Sequence, residues 1–180
     1  MTQRQKRRPA LQIALVAILT AITVVFTLIV RVPTPIKGYI SLADVVITFS
    51  AFLFGPLTAL VAGGLGTGLA DIIGGYAQWA PFSFLIHGLQ GLLIGLIAKK
   101  GSKSGYSIDS NLSLMILGGV AGMVVMAGGY YLVGGMFYGF EPALVEIPLN
   151  LIQSGVGVVL GIAVSKGVSK AYPAVRELSW

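Results

Sequence analysis

"ALQIALVAILTAITVVFTLIV", residues 10–30, contains no charged residue. A helix of about 20 apolar residues spans the roughly 30 Å of bilayer hydrocarbon, so this stretch reads as a membrane helix. The residues before it, Arg4, Lys6, Arg7 and Arg8 among them, are basic, as in a secretory leader. A leader's apolar run, however, is typically about 7–15 residues and ends at a small-residue cleavage site before a polar chain. Here the run is longer and apolar sequence soon resumes, so the segment is read as a retained first span.

The rest of the chain repeats the pattern. Of its 180 residues 56% are hydrophobic and 10% charged, and mean hydropathy is +0.89. Soluble domains carry about a quarter charged residues. Residues 112–135 and 147–165 are further uncharged runs of spanning length, and little chain remains for a soluble catalytic or nucleotide-binding domain. The expected fold is all-α: a single membrane domain over 1–180, a compact bundle of six transmembrane helices at about 10–30, 41–54, 57–73, 81–98, 112–135 and 143–168. The chain has no Cys, which excludes thiolate catalysis and thiolate metal sites. No metal site and no cofactor are expected.

Local signals set the boundaries. In "RVPTPIKGY", residues 31–39, two prolines and a glycine argue against regular structure. Ser41 stands where an N-cap would start the second helix. Gly55-Pro56 marks a tight turn, Pro81 suits the first turn of the fourth helix, and Pro148 is placed to kink the sixth. The second helix, about 14 residues and therefore ~21 Å, is too short to span alone. The preceding loop is expected to dip into the bilayer and cover something, because irregular backbone at that depth survives only against protein or a cavity.

Six helices put both termini on one side. Arg4, Lys6, Arg7, Arg8, Lys99, Lys100, Lys103, Lys166, Lys170 and Arg176 fall there, and only Arg31 and Lys37 fall opposite. Basic residues concentrate on the cytoplasmic side, so both termini are expected in the cytoplasm. The net charge of +6 is then a consequence of topology rather than a sign of nucleic-acid binding. Glycines recur four apart at 64/68, 91/95, 118/122 and 157/161, the spacing that lets membrane helices meet backbone to backbone. "GGLGTGLAD" lies inside such a helix, outside the strand–turn–helix setting of a nucleotide fingerprint. There is no G-x-x-x-x-G-K-[ST] loop, so any ATP hydrolysis belongs to a partner.

The unusual polar residues gather at one end. Asp44 lies near the outer end of the second helix and Asp71 closes the third. Gln78 and Trp79 precede the fourth, and His87 lies about six residues into it. Glu146, Asn150 and Gln153 share one face at i, i+4 and i+7, as do Ser83, His87 and Gln90. Tyr76, Tyr138 and Glu141 fall in the outer loops, and Tyr130 and Tyr131 are deeper. Ionisable side chains in a membrane are costly and normally face a bundle interior or wet cavity, so an outward-facing polar pocket is expected. Plainer roles stay open for each: Asp44 or Asp71 as a structural partner of Arg31 or Lys37, His87 in a buried network, Trp79 as an interfacial anchor, and Tyr130 and Tyr131 in packing.

"VPTPIKGYISLADVVITFSAFLFGP", "AGGLGTGLADIIGGYAQWAPFSFLIHGLQGLLIG" and "EIPLNLIQSGVGVVLG" resemble the substrate-binding S components of energy-coupling factor (ECF) vitamin transporters. The resemblance extends over about 10–168, and the branch it is similar to takes up hydroxymethylpyrimidine and pyridoxine-type compounds. It implies six helices in a bacterial plasma membrane and a vitamin bound near the outer surface. It also implies docking on a transmembrane coupling protein (T component) driven by two ATPase subunits. A small heteroaromatic would stack on Trp79, Phe82 and Tyr side chains and hydrogen-bond to His87, Gln90, Glu146 and Asn150, with Gln153, Asp44, Asp71 and Tyr130 as further candidates. The loop carrying Pro33, Pro35, Lys37 and Tyr39 would be the gate. Ala10, Ala14, Ala17 and Ala21 form a small-residue stripe along the first helix, which serves either packing in the bundle or contact with the coupling protein.

Two other functions compete with this one. An intramembrane enzyme would use His87 with Asp44, Asp71 or Glu146, but neither an H-E-x-x-H nor a G-x-S-x-G motif supports it. A proton-coupled carrier acting alone would show repeated halves, which the sequence lacks.

Overall fold

The computed structural model describes residues 3–35, 38–102 and 104–179, with side chains from Pro9 onward in the first helix. Lys37 of the expected gate lies outside the described residues. The elements are α1 (Gln3–Ile29), β1 (Val32–Pro33), β2 (Tyr39–Ile40), α2 (Ala43–Leu53), α3 (Pro56–Gly74), α4 (Ala80–Lys100), α5 (Leu112–Tyr138), α6 (Phe140–Ala143) and α7 (Glu146–Ala171), with 3-10 turns at Ser107–Asp109 and Pro173–Leu178.

Among the described residues, five helical stretches are long and apolar enough to cross a membrane: Pro9–Ile29, Pro56–Gly74, Ala80–Lys100, Leu112–Tyr138 and Phe140–Ala171. The expected sixth, α2, has 11 residues and a length of ~16 Å. Nearly all of it is buried, and it packs against α1, α3, α4 and α7. α2 is thus the core of the bundle rather than one of its walls.

The fold is all-helical as expected, and the strands correct only the expectation of irregular backbone over 31–39. Val32 pairs with Ile40 and Pro33 with Tyr39 in an antiparallel ladder, and Thr34 N donates to Gly38 O at 3.0 Å. Proline is tolerated because a two-stranded ribbon is all edge. Ser41 is not the N-cap: α2 begins at Ala43 after Leu42, and the Ser41 hydroxyl accepts from Ala43 N at 3.2 Å. Pro148 does not kink the last helix. α7 starts at Glu146, which leaves Pro148 in a first turn where no intrahelical N–H is required, and the break in the chain falls earlier, between α6 and α7. Pro81 sits in the first turn of α4 as expected.

The four glycine pairs lie where helices touch. A Cβ on Gly95 would come within 2.6 Å of the Pro56 backbone, and one on Gly157 within 2.3 Å of Asp44 Cβ. α3 and α4, and α2 and α7, therefore approach more closely than any side chain would allow. α1 is held less tightly, packing on α2 and α3. Leu19, Thr23 and Thr27 are buried, while Ala10, Ala14, Ala17 and Ala21 are exposed.

Candidate substrate-binding site

At the end of the bundle where α1 and α3 finish and α4 and α7 begin, a cavity lies between the hairpin and helices α1, α3, α4, α5 and α7. Gly75, at φ 86°, ends α3 in a left-handed turn that only glycine adopts without strain, and Tyr76 N donates back to Asp71 O at 2.8 Å. That turn places Tyr76 and Trp79 over the mouth and leaves Asp71, 2% exposed, facing inward from the last turn of α3.

The hairpin closes the cavity from above. Tyr39 donates its hydroxyl to Asp71 Oδ1 at 2.5 Å and meets Tyr76 edge to face at 5.0 Å. Arg31 lies over both rings, 4.8 Å from Tyr39 and 5.7 Å from Tyr76, and donates to Gly74 O at 3.2 Å. Burial, and then the neighbouring Asp71 carboxylate, push the Tyr39 phenol well above its ordinary pKa, so Tyr39 acts as a neutral donor. Across the mouth the Thr34 hydroxyl donates to Glu146 Oε1 in the first turn of α7.

The walls follow helical spacing. From α4, Ser83 and His87 line the cavity, and Ser83 Oγ lies 2.6 Å from the Tyr130 hydroxyl of α5. Trp79 is packed by Tyr130, Phe137 and Tyr138 at 5.7, 5.2 and 6.2 Å. From α7 come Glu146, Asn150 and Gln153.

Of the residues singled out from sequence, Tyr39, Asp71, Trp79, His87, Tyr130, Glu146, Asn150 and Gln153 line the cavity together. Asp44 and Gln90 do not. They lie behind it, where the Asp44 carboxylate receives Gln90 Nε2 at 2.5 Å and Gln153 Nε2 at 2.6 Å, because α2 turns its Asp44 face into the bundle toward α4 and α7. Asp44 is therefore held by amides rather than by Arg31. Pro33 and Pro35 point to the surface. Phe82 packs against Phe137 and Tyr131 against Phe140, neither reaching the cavity. Thr27, Thr67, Met126, Gly38 and Ser41 line it without having been anticipated. For Thr27 a signal existed, since Thr23 and Thr27 stand one turn apart on the face of α1 opposite the alanine stripe.

The cavity holds about 30 Å³, room for roughly two waters. Three buried polar atoms in its wall have no hydrogen-bond partner among the described residues: Asp71 Oδ2, Trp79 Nε1 and Asn150 Nδ2. Buried polar groups are rarely left unpaired. A group that supplies hydrogen bonds to all three would find its partners already in place.

The chain matches, over residues 9–170, the family model described as the S component of the ECF-type riboflavin transporter. It is 35% identical over 156 residues, 86% of this chain and 85% of the relative, to the thiamine precursor transporter HmpT of Lactococcus lactis. It is 37% identical over 142 residues, 78% of this chain and 89% of the relative, to an uncharacterised protein of Pyrococcus woesei. The fold matches a solved S component of a bacterial ECF transporter with a TM-score of 0.64, covering 94% of this chain and 98% of that one at 19% identity. A family match along nearly the whole length, on a bundle of this architecture, makes the chain a multi-pass membrane protein that belongs to the S components of ECF-type transporters.

Proposed function

We propose that the protein is the high-affinity binding subunit of an ATP-driven ECF importer for a small monocyclic heteroaromatic vitamin or precursor, of the hydroxymethylpyrimidine or vitamin B6 kind. The observation that carries this is the cavity in whose wall Asp71 Oδ2, Trp79 Nε1 and Asn150 Nδ2 have no hydrogen-bond partner among the described residues. Mostly apolar pockets with a few placed polar groups are the usual sites for such ligands, and here aromatic rings flank the polar ones. The family model is named for riboflavin and the relative HmpT for a thiamine precursor. Either ligand would have to move the hairpin or wall to enter, and a single ring would move less of them than a tricyclic one.

The binding face is assigned to the outside of the cell on the placement of Lys and Arg. Lys99, Lys100, Lys166 and Lys170 lie in the last turns of α4 and α7, remote from the cavity, with Arg176 just beyond α7, and basic residues favour the cytoplasmic side. The exposed stripe Ala10, Ala14, Ala17 and Ala21 is assigned to the T component, and two ATPase subunits supply the energy. Mass spectrometry of small molecules retained by the purified protein tests the ligand class. Uptake into vesicles holding the full complex, with and without internal ATP, tests the coupling. Retention of no heteroaromatic compound together with ATP-independent uptake would refute the reading.

A further inference from the structure

The chain has a single histidine, and a carboxylate outside the cavity decides where its proton sits. Asp44 is 1% exposed, and its carboxylate only accepts hydrogen bonds. Gln90 Nε2 donates to Oδ1 at 2.5 Å and Gln153 Nε2 to Oδ2 at 2.6 Å. An amide that turns its nitrogen to a carboxylate turns its oxygen away. Gln90 Oε1 accordingly faces His87 Nδ1 at 2.7 Å, and Gln153 Oε1 accepts Ser41 N at 2.6 Å. An amide oxygen also only accepts, so His87 Nδ1 carries the hydrogen. In the neutral ring Nε2 is then a bare acceptor, on a residue that lines the cavity.

The unpartnered atoms complete a pattern. Asp71 Oδ2 adds a second acceptor, while Asn150 Nδ2 and Trp79 Nε1 are donors; the three residues are 2%, 4% and 4% exposed. Ser83 Oγ bears on the same Asp71 carboxylate, but its hydrogen-bonding distance of 2.6 Å is to Tyr130. The described lining includes the carboxyl group of Asp71.

We propose that the site selects an amino-substituted, non-anionic azaheterocycle, its N–H hydrogens taken by His87 Nε2 and Asp71 and its ring nitrogen or hydroxyl served by Asn150 and Trp79, and that Asp44 sets this selectivity as a positioning residue through Gln90. The proposal rests on the vitamin-binding function above and narrows it. An oxo group in place of the amino group would present a lone pair to two acceptors. A phosphate ester would bring negative charge against the Asp71 carboxylate.

Because His87 is the only histidine, selective histidine ¹⁵N labelling reports one imidazole. At pH 8 the full chain in detergent is expected to show a protonated Nδ1 and an unprotonated Nε2. In Asp44→Asn the constraint on Gln90 is lost, and the Nε2–H tautomer is expected to appear. Isothermal titration would compare 4-amino-5-hydroxymethyl-2-methylpyrimidine with its 4-oxo analogue and its phosphate ester. The amino compound should bind about a hundred-fold tighter than either, as sites built to pair a ligand N–H discriminate strongly. In Asp44→Asn the amino-to-oxo ratio should fall to within about ten-fold, although Asp44 does not line the cavity.

A wild-type ring protonated at Nε2, or at both nitrogens, overturns the proposal even if Asp44→Asn fails to fold. So does a folded Asp44→Asn that keeps both tautomer and ratio. Riboflavin binding with all three pyrimidines rejected overturns the selectivity and the monocyclic ligand class while leaving the importer role standing. If no small molecule binds, both fall.

Discussion

Thr34, in the turn of the hairpin, donates its hydroxyl to Glu146 at the start of α7, 112 positions further along the chain. Gly38 makes room for the clasp: a Cβ there would lie 2.8 Å from Thr34 Oγ1 and 3.0 Å from Glu146 Oε1. A hydrogen bond to a charged group contributes about 1.5–3 kcal/mol net. Thr34→Val should therefore release bound ligand about ten-fold faster or more, and Gly38→Val should do the same by steric means. Trp79 lies in the wall, so stopped-flow tryptophan fluorescence reads the rate. An unchanged dissociation rate in both variants would show that the hairpin does not retain the ligand.

The wall itself is tested by removing its polar groups one at a time. His87→Ala, Asn150→Ala and Glu146→Ala should each weaken binding by more than about ten-fold, since losing one partner of a buried polar contact costs about 1–3 kcal/mol and more where charge is involved. Thr58→Ala, whose hydroxyl bonds to Phe54 O at 3.2 Å at the far end of α3, should change affinity less than about two-fold. Titration calorimetry on the folded variants decides, and unaltered affinity in all three would remove the site from the cavity.

Orientation is tested independently of ligand. The chain lacks Cys, so single cysteines at Gly101 or Ser102, beyond α4, and at Ala77, between α3 and α4, can be labelled without background. The first two should react with impermeant thiol reagents only from the cytoplasmic side, and the third only from outside. The reverse result would turn the cavity toward the cytoplasm.

Ala14 and Ala17 are exposed, and Ala17 and Ala21 border an apolar groove between α1 and α3. Bulky residues there would hold an approaching helix off without reaching the cavity. Ala14→Trp and Ala17→Trp should leave ligand affinity intact and abolish both ATP-driven uptake and co-purification with the T component. Normal uptake by both would free the stripe from any role in coupling.

The glycine contacts differ in what they tolerate. On Gly157 a Cβ would meet Asp44 Cβ at 2.3 Å, whereas around Gly128, also in a spanning helix, nothing lies within 4 Å. Gly157→Ala should lower the unfolding temperature in detergent and weaken binding together, because it pushes on the residue that orients Gln90 and Gln153. Gly128→Ala should be neutral, or stabilising by up to about 1 kcal/mol. Equal effects of the two on thermal unfolding would contradict the close approach of α2 and α7.

Much of the architecture could be read before any coordinates, because the solvent imposes it. Three spans were visible as long uncharged runs, since hydrocarbon admits little else. The glycine pairs marked where helices touch, since only a missing side chain permits that approach. Asp71, His87, Glu146 and Asn150 stood out because charge and amide groups are rare and costly in a span, and their spacing alone put the last two on one face.

Which polar residues would line the cavity and which would support it was decided only by the tertiary structure. In water, an apolar stripe on a helix marks the face that packs inward. In a membrane both lipid and protein interior are apolar, so periodicity does not say which way α2 turns. Asp44 and Gln90 had the same marks as His87, and only the packing of α2 against α4 and α7 set them behind the wall. The ladder between β1 and β2 was likewise illegible in a segment with two prolines. Two paired residues on each side make a marginal ribbon by themselves, and this one is held in place by the bonds of Tyr39 to Asp71 and Thr34 to Glu146, partners 32 and 112 positions away.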